Sequence, residues 1–179
     1  MADKPVADFG EWFNLLDFDA IALPSDKLDE CRFFLDLIEK EVDAQRFRWL
    51  ISAFFGAAYS YFEILALHAY ESFADPESGE SIADYDALEV LRRYVVIVQD
   101  AKRPSFVKTA GRHPITKQLY ELRKKNTHHA PLSILKTTKE LPVGFHFGYL
   151  KGQGIAALPF CRDVMTLLEK VNAELHLLD

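Results

Sequence analysis

The residues best suited to chemistry are concentrated in one stretch, Leu122–Pro131. Within it, four residues separate Arg123 from His128, and Asn126 and His129 lie beside this pair. Arginine stays charged at physiological pH and forms paired hydrogen bonds with phosphate. Histidine gains and loses a proton near neutral pH. Together the two residue types could perform acid–base chemistry on a phosphodiester without a metal ion.

The apolar periodicity of this stretch turns Arg123 toward the protein interior. In a helix each residue advances about 100° around the axis, and Leu119 marks the centre of the apolar stripe. Arg123 and Asn126 then lie within about 40° of that centre, and His129 lies closer to it than His128 does. A charge in this position needs a partner or a ligand.

A structural role explains the same residues without any chemistry. Arg123 could pair with a buried acid such as Glu63, and His128 and His129 could be helix-end residues stabilised by the helix dipole. Arginine and histidine are common near helix ends. On residue types alone, the structural role is therefore favoured over the chemical one.

The elements that would position these residues are mainly helices. Asp84 and Thr116 fit the N-caps of two of them. Glycine and proline predict a loop at 104–115, and β-branched and aromatic residues predict a small β-hairpin at about 132–150. Apolar spacing places the helices at about 26–41, 43–73, 84–100, 116–128 and 158–177.

We therefore predict a mainly α fold, a bundle of about five helices in a single domain over 1–179. Its aromatic-rich N-terminal extension, 1–24, is expected to pack on the bundle; it lacks the apolar stretch of a secretory signal. Cys31 and Cys161 are far apart in apolar surroundings, which predicts buried thiols in a reducing compartment. The expected location is the cytoplasm.

One segment, Trp49–Tyr70, is apolar and long enough to cross a bilayer. It contains Glu63 and His68, and a charged group at bilayer depth is costly. Since no second such segment accompanies it, we expect a buried core helix and no membrane partner.

Charge is distributed unevenly along the chain. Residues 1–100 hold 8 basic and 21 acidic residues, whereas residues 101–140 hold 10 basic and 2 acidic ones. This pattern argues against a general nucleic-acid coat but agrees with one local anion-binding surface. Neutralisation of the acidic helices, within the fold or across a dimer, explains it equally well.

Other types of site fit the sequence less well. His113, His146 and Cys161, with the histidines at 128 and 129, could in principle hold a metal, but no pair has a recognised ligand spacing. The glycines form no phosphate-binding loop, and no Gly-x-Ser-x-Gly turn is present. The sequence therefore predicts neither a metal site nor a cofactor.

The stretch containing Arg123 and His128 resembles the signature of the HEPN superfamily, an arginine followed after four to six residues by a histidine on a late helix of a helical bundle. His129 also lies within this spacing, and Asn126 supplies the polar amide that often accompanies the signature. The amide usually follows the arginine directly, whereas Lys124 occupies that position here.

The resemblance implies a metal-independent endoribonuclease of a bacterial toxin, defence or stress system, acting as a homodimer in which two motifs form one cleft. His128, or His129, would then serve as general acid or base, and Arg123 would hold the scissile phosphate. Asn126 would orient one of these groups, as Glu63 would if it reaches the arginine.

Two lysines, Lys124 and Lys125, would then steer the RNA backbone toward the cleft. The alternative is a catalytically silent relative that binds a nucleotide, RNA or a protein partner such as an antitoxin. A third alternative is a helical structural protein without a ligand, which a closed surface at 120–130 would support.

Overall fold

The computed structural model describes residues 23–71, 73–100, 102–128, 131–148 and 154–178; the side chains at 73, 74, 81, 103–105 and 125–128 lie outside this description. The described residues form five helices and three two-stranded antiparallel sheets, which confirms a mainly α fold. The N-terminal extension falls almost entirely outside them. In chain order, the elements are α1 (Pro24–Ile38), α2 (Ala44–Glu71), β1 (Phe73–Ala74), β2 (Ser81–Ile82), α3 (Tyr85–Tyr94), β3 (Val95–Asp100), β4 (Arg103–Gly111), α4 (Pro114–His128), β5 (Ile134–Lys136), β6 (Phe145–Phe147) and α5 (Ala157–Leu175).

The long helix α2 forms the centre of the core. Its start is capped by Asp43, whose carboxylate accepts hydrogen bonds from the backbone N–H groups of Gln45 and Arg46. By length and composition α2 could cross a membrane, which is weak evidence because a buried core helix passes the same test. Its fully buried side chains are Phe47, Ile51, Phe54, Phe55, Ala58, Tyr61, Phe62 and Ala66.

The predicted hairpin at 132–150 is confirmed as the pair β5–β6, and it belongs to the core. The ring of Phe145 lies 4.3 Å from that of Phe47, and Phe147 lies 5.9 Å from Phe55 and 6.2 Å from Phe160, centroid to centroid. This aromatic cluster joins β6, α2 and α5. The two cysteines are buried and free, as expected.

The predicted helix at 84–100 and loop at 104–115 are both wrong in part. Asp84 does cap α3, but that helix ends at Tyr94, and the β-branched run that follows forms β3. β3 then pairs with β4, which takes up most of the predicted loop. Val95–Val98 favours extended backbone because side chains branched at Cβ lose freedom in a helix.

The helix that carries the candidate site starts earlier than expected. Pro114 occupies its first position, where the missing N–H costs nothing. Thr116 is not its cap: the buried hydroxyl donates to the carbonyl of Tyr94, 2.6 Å away. This bond ties α4 to the junction of α3 and β3.

Close approach of β4 to α4 depends on a glycine. A Cβ atom added at Gly111 would lie 2.4 Å from the backbone nitrogen of Lys117, which is too close for any side chain. The absence of a side chain at this position therefore sets the distance between the end of β4 and the first turn of α4.

Candidate functional site

The face of α4 that carries Arg123 lies toward α2 and β4, as the apolar periodicity of the helix predicts. Leu119 is fully buried and Leu122 nearly so, while Arg123 is half-buried beside them. The guanidinium carbon of Arg123 lies 3.6 Å from the centroid of the Tyr59 ring of α2. At this distance the cation interacts with the face of the aromatic ring.

Glu63 holds the tyrosine on which Arg123 lies. The hydroxyl of Tyr59 donates a hydrogen bond of 2.5 Å to Glu63 Oε1, one helical turn further along α2. Glu63 thus belongs to the same cluster as Arg123, with the Tyr59 side chain between them. The orienting role of Glu63 stays a prediction; the hydrogen bond described for its carboxylate is the one from Tyr59.

A second tyrosine connects this cluster to β4. The Tyr120 ring lies 4.8 Å from the Tyr59 ring, centroid to centroid, and its hydroxyl lies 2.6 Å from the Thr109 hydroxyl. Thr109 is itself buried. Residues from α2, β4 and α4 are therefore joined by ring contacts and hydrogen bonds, which limits the movement of the arginine's surroundings.

An open pocket of about 420 Å³ lies beside these residues. Arg123 and the exposed Lys117 and Lys124 supply three cations, against a single acid, Glu121. The pocket is lined by Tyr59, Thr109, Ala110, Gly111, Lys117, Tyr120, Glu121, Arg123 and Lys124. A closed surface around Arg123, which would have supported a purely structural role, is not observed.

Burial shapes the ionisation of both tyrosines. Loss of solvent, with the hydrogen bond to Glu63 and its negative charge, raises the pKa of Tyr59 to about 12. Burial likewise raises the pKa of Tyr120. Both hydroxyls therefore stay protonated and neutral at physiological pH, and neither can serve as a general base there.

The raised pKa of Tyr59 predicts a difference at alkaline pH. A group whose pKa is higher in the folded state contributes stability below its unfolded pKa, near 10, and loses it as pH rises toward about 12. Between about pH 10 and about pH 12, we expect the unfolding free energy of Tyr59→Phe, measured with urea, to fall less steeply with pH than that of wild type. Equal slopes would contradict this.

The structure describes the side chains of some predicted site residues and only the backbone positions of others. Arg123 and Lys124 both line the pocket. The positions of Lys125, Asn126 and His128 lie in α4, but their side chains are outside the description, and position 129 is outside it altogether.

Helical geometry still separates the two halves of the Arg–His pair. Five residues at about 100° each place position 128 about 140° around the axis from Arg123, whereas Asn126 falls within about 60° of Arg123. Positions 123 and 126 therefore share a face of α4, and position 128 lies on another.

Sequence reasoning missed three residues that shape the site: Tyr59, Thr109 and Tyr120. Two of them carried a usable signal. Tyr59 lies one turn before Glu63, and Tyr120 lies one turn before Arg123 on the same side of α4. Thr109 carried none, because its segment was predicted to be a loop.

Metal and thiol chemistry find little support in the described part of the chain. No group of three histidine, cysteine or acidic side chains there could hold a metal ion. Burial raises the pKa of Cys31 to about 12 and that of Cys161 as well, so neither thiol forms a thiolate nucleophile at neutral pH.

No protein-family model matches the sequence, no curated protein matches it, and no solved structure matches the fold.

Proposed function

We propose that the protein is a HEPN-like, metal-independent endoribonuclease that acts as a homodimer. The observation that carries this proposal is the half-buried Arg123, held on the Tyr59 ring at a pocket with two lysines. The same helix bears His128. A guanidinium fixed in this way can form paired hydrogen bonds with a phosphate without first having to be ordered.

The reaction needs a base, an acid and a group that stabilises the phosphate. The imidazole of His128 accepts the proton of the RNA 2′-hydroxyl, and the 2′-oxygen forms a bond to phosphorus. The bond from phosphorus to the 5′-oxygen breaks, and that oxygen takes a proton from an imidazolium. Arg123 stabilises the negative charge that develops on the phosphate oxygens. The products are a 2′,3′-cyclic phosphate and a 5′-hydroxyl.

A second copy of the chain completes the site in this proposal. Because positions 123 and 128 lie about 140° apart around α4, one helix presents them on different sides. A homodimer can place the histidine of one copy beside the arginine of the other. The acid and the base can then come from two different copies.

The test is cleavage of a labelled RNA oligonucleotide by the purified protein in excess EDTA, with identification of the new ends. We expect 2′,3′-cyclic phosphate ends and no cleavage of an all-2′-deoxy substrate. His128→Ala should lower the rate about 10²- to 10⁴-fold, whereas His176→Ala, an exposed histidine at the end of α5, should retain it. Wild-type cleavage by His128→Ala would overturn the proposal.

A silent binding module is the second candidate, favoured by the separation of the arginine and histidine positions. The pocket and its three cations are complete in one chain and do not require the histidine. Binding of RNA or a nucleotide by the wild-type protein, without any cleavage, would support this candidate over the nuclease.

A further inference from the structure

An apolar groove lies at one end of the bundle. It has a volume of about 360 Å³ and lies between the start of α1, the end of α2, the start of α3 and the end of α5. Among the described residues, none lines both this groove and the pocket beside Arg123. The apolar lining of the groove includes Leu65, Ala69, Ala87, Leu91, Leu175 and Leu178.

Large apolar side chains are exposed in the segments that border this groove. Leu23 directly precedes α1, Tyr85 begins α3, and Leu177 and Leu178 follow α5. All four side chains are exposed. Apolar surface that is concentrated at one place commonly marks a site where another group packs. The groove and its border therefore have the character of a docking surface.

Two polar groups of the groove are already used within the bundle. The carboxylate of Asp84 accepts a hydrogen bond from the backbone N–H of Ala87, and the side-chain oxygen of Asn172 accepts one of 3.4 Å from the Tyr61 hydroxyl. A small polar ligand needs polar groups that converge on it and fix its orientation. An apolar occupant suits the groove better.

The N-terminal extension joins the bundle at the edge of this groove. Leu23 is itself part of the lining, and residues 1–22 precede it. Since an extended chain spans at most about 3.6 Å per residue, Phe18 lies within about 18 Å of Leu23. Four apolar residues further back have the spacing of one face of an amphipathic helix: Phe9, Trp12, Phe13 and Leu16.

We propose that the groove binds the apolar face of the chain's own N-terminal segment, with Trp12 among the side chains that it covers. Removal of the aromatic rings from water against the aliphatic lining drives this docking. A segment tethered by a short linker is present at an effective concentration of the order of millimolar, which favours it over the segment of a second copy. The docked segment closes this end of the bundle, and the proposal does not depend on the ribonuclease.

The fluorescence of Trp12 tests the docking directly, because the chain has only two tryptophans. In full-length Trp49→Phe, Trp12 is the single tryptophan; the Trp49 that is lost is exposed on α2 and is not part of the groove lining. We expect acrylamide to quench Trp12 several times less efficiently in the folded protein than in urea. Equal quenching in the two states would overturn the proposal.

Substitutions in the groove show whether it is the place of contact. In the Trp49→Phe background, Leu65→Gln and Ala87→Gln each put an amide into the apolar lining and should raise the quenching of Trp12 toward that of the unfolded chain. Leu37→Gln is the matched control and should leave it unchanged, since Leu37 is 38% exposed on α1 and does not line the groove.

Far-UV circular dichroism shows that each groove variant is folded. Phe13→Gln changes only the segment, so it should raise the quenching of Trp12 without disturbing the bundle. If neither the groove variants nor Phe13→Gln changed the quenching, Trp12 would be protected elsewhere and the proposal would fail.

Dilution separates the chain's own segment from that of a second copy. Docking within one chain makes the quenching of Trp12 independent of protein concentration. Quenching that rises on dilution would assign the groove to the segment of a second copy and overturn docking within the chain.

Discussion

Arg123→Ala is expected to lower the rate of metal-independent RNA cleavage about 10²- to 10³-fold, the usual cost of removing one group that stabilises transition-state charge. We expect this loss because of the position of the Arg123 guanidinium, which lies over the face of the Tyr59 ring. Its N–H groups are then directed around the edge of the guanidinium plane and can bind two phosphate oxygens at once. Single-turnover cleavage at saturating RNA measures the chemical step without the contribution of binding.

Arg123→Lys separates charge from geometry. Lysine keeps the positive charge but lacks the planar group that can cover Tyr59 and bind phosphate with two parallel hydrogen bonds. We expect it to recover less than about a tenth of the wild-type rate. Arg92→Ala removes an exposed arginine of α3 and should have no effect.

Thermal unfolding distinguishes a loss of folding from a loss of the chemical step in the Arg123 variants. A half-buried cation–aromatic contact contributes about 0.5–2 kcal/mol, which is small against the stability of a domain of this size. The thermal unfolding temperature of both Arg123 variants should therefore stay close to that of wild type. A wild-type rate in Arg123→Ala would show that the arginine does not take part in the reaction.

The inward placement of Arg123 could be predicted from the sequence because it depends on local periodicity. Leu119 and Leu122 define the buried stripe of α4, and a residue four positions after Leu119 lies about 40° from it, at the edge of that stripe. The cap at Asp84 was predictable for the same reason, since capping joins residues only three positions apart.

The contacts that complete the site could not be predicted, because they join segments that are distant in the sequence. Tyr59 and Arg123 are 64 positions apart, and only the packing of α2 against α4 brings them together. The pair β3–β4 was missed because Val95 and Val98 also fit the apolar spacing of a helix. Without that hairpin, Thr109 had no predicted place beside Tyr120.

The hairpin β5–β6 gives a second example of the same limit. Its strands were predicted from residue type, but its role in the core was not. Phe145 and Phe147 are buried against rings of α2 and α5, so this hairpin closes one side of the bundle. Burial of its aromatic side chains makes it a contributor to stability.

Phe55→Ala is expected to cost about 3–5 kcal/mol of unfolding free energy, the largest single effect on stability we predict. Phe55 is fully buried in α2, and its ring lies 5.9 Å from that of Phe147 and 6.0 Å from that of Phe160. Truncation leaves a cavity where β6, α2 and α5 meet, which cannot close without moving three elements.

Phe33→Ala provides the matched control, because the same truncation removes a side chain that is 58% exposed on α1. We expect a change within about 0.5 kcal/mol for this variant. Urea unfolding with linear extrapolation measures both, and an unchanged slope for Phe55→Ala would assign the loss to the folded state. Similar losses in the two variants would mean that the aromatic cluster does not hold the hairpin to the bundle.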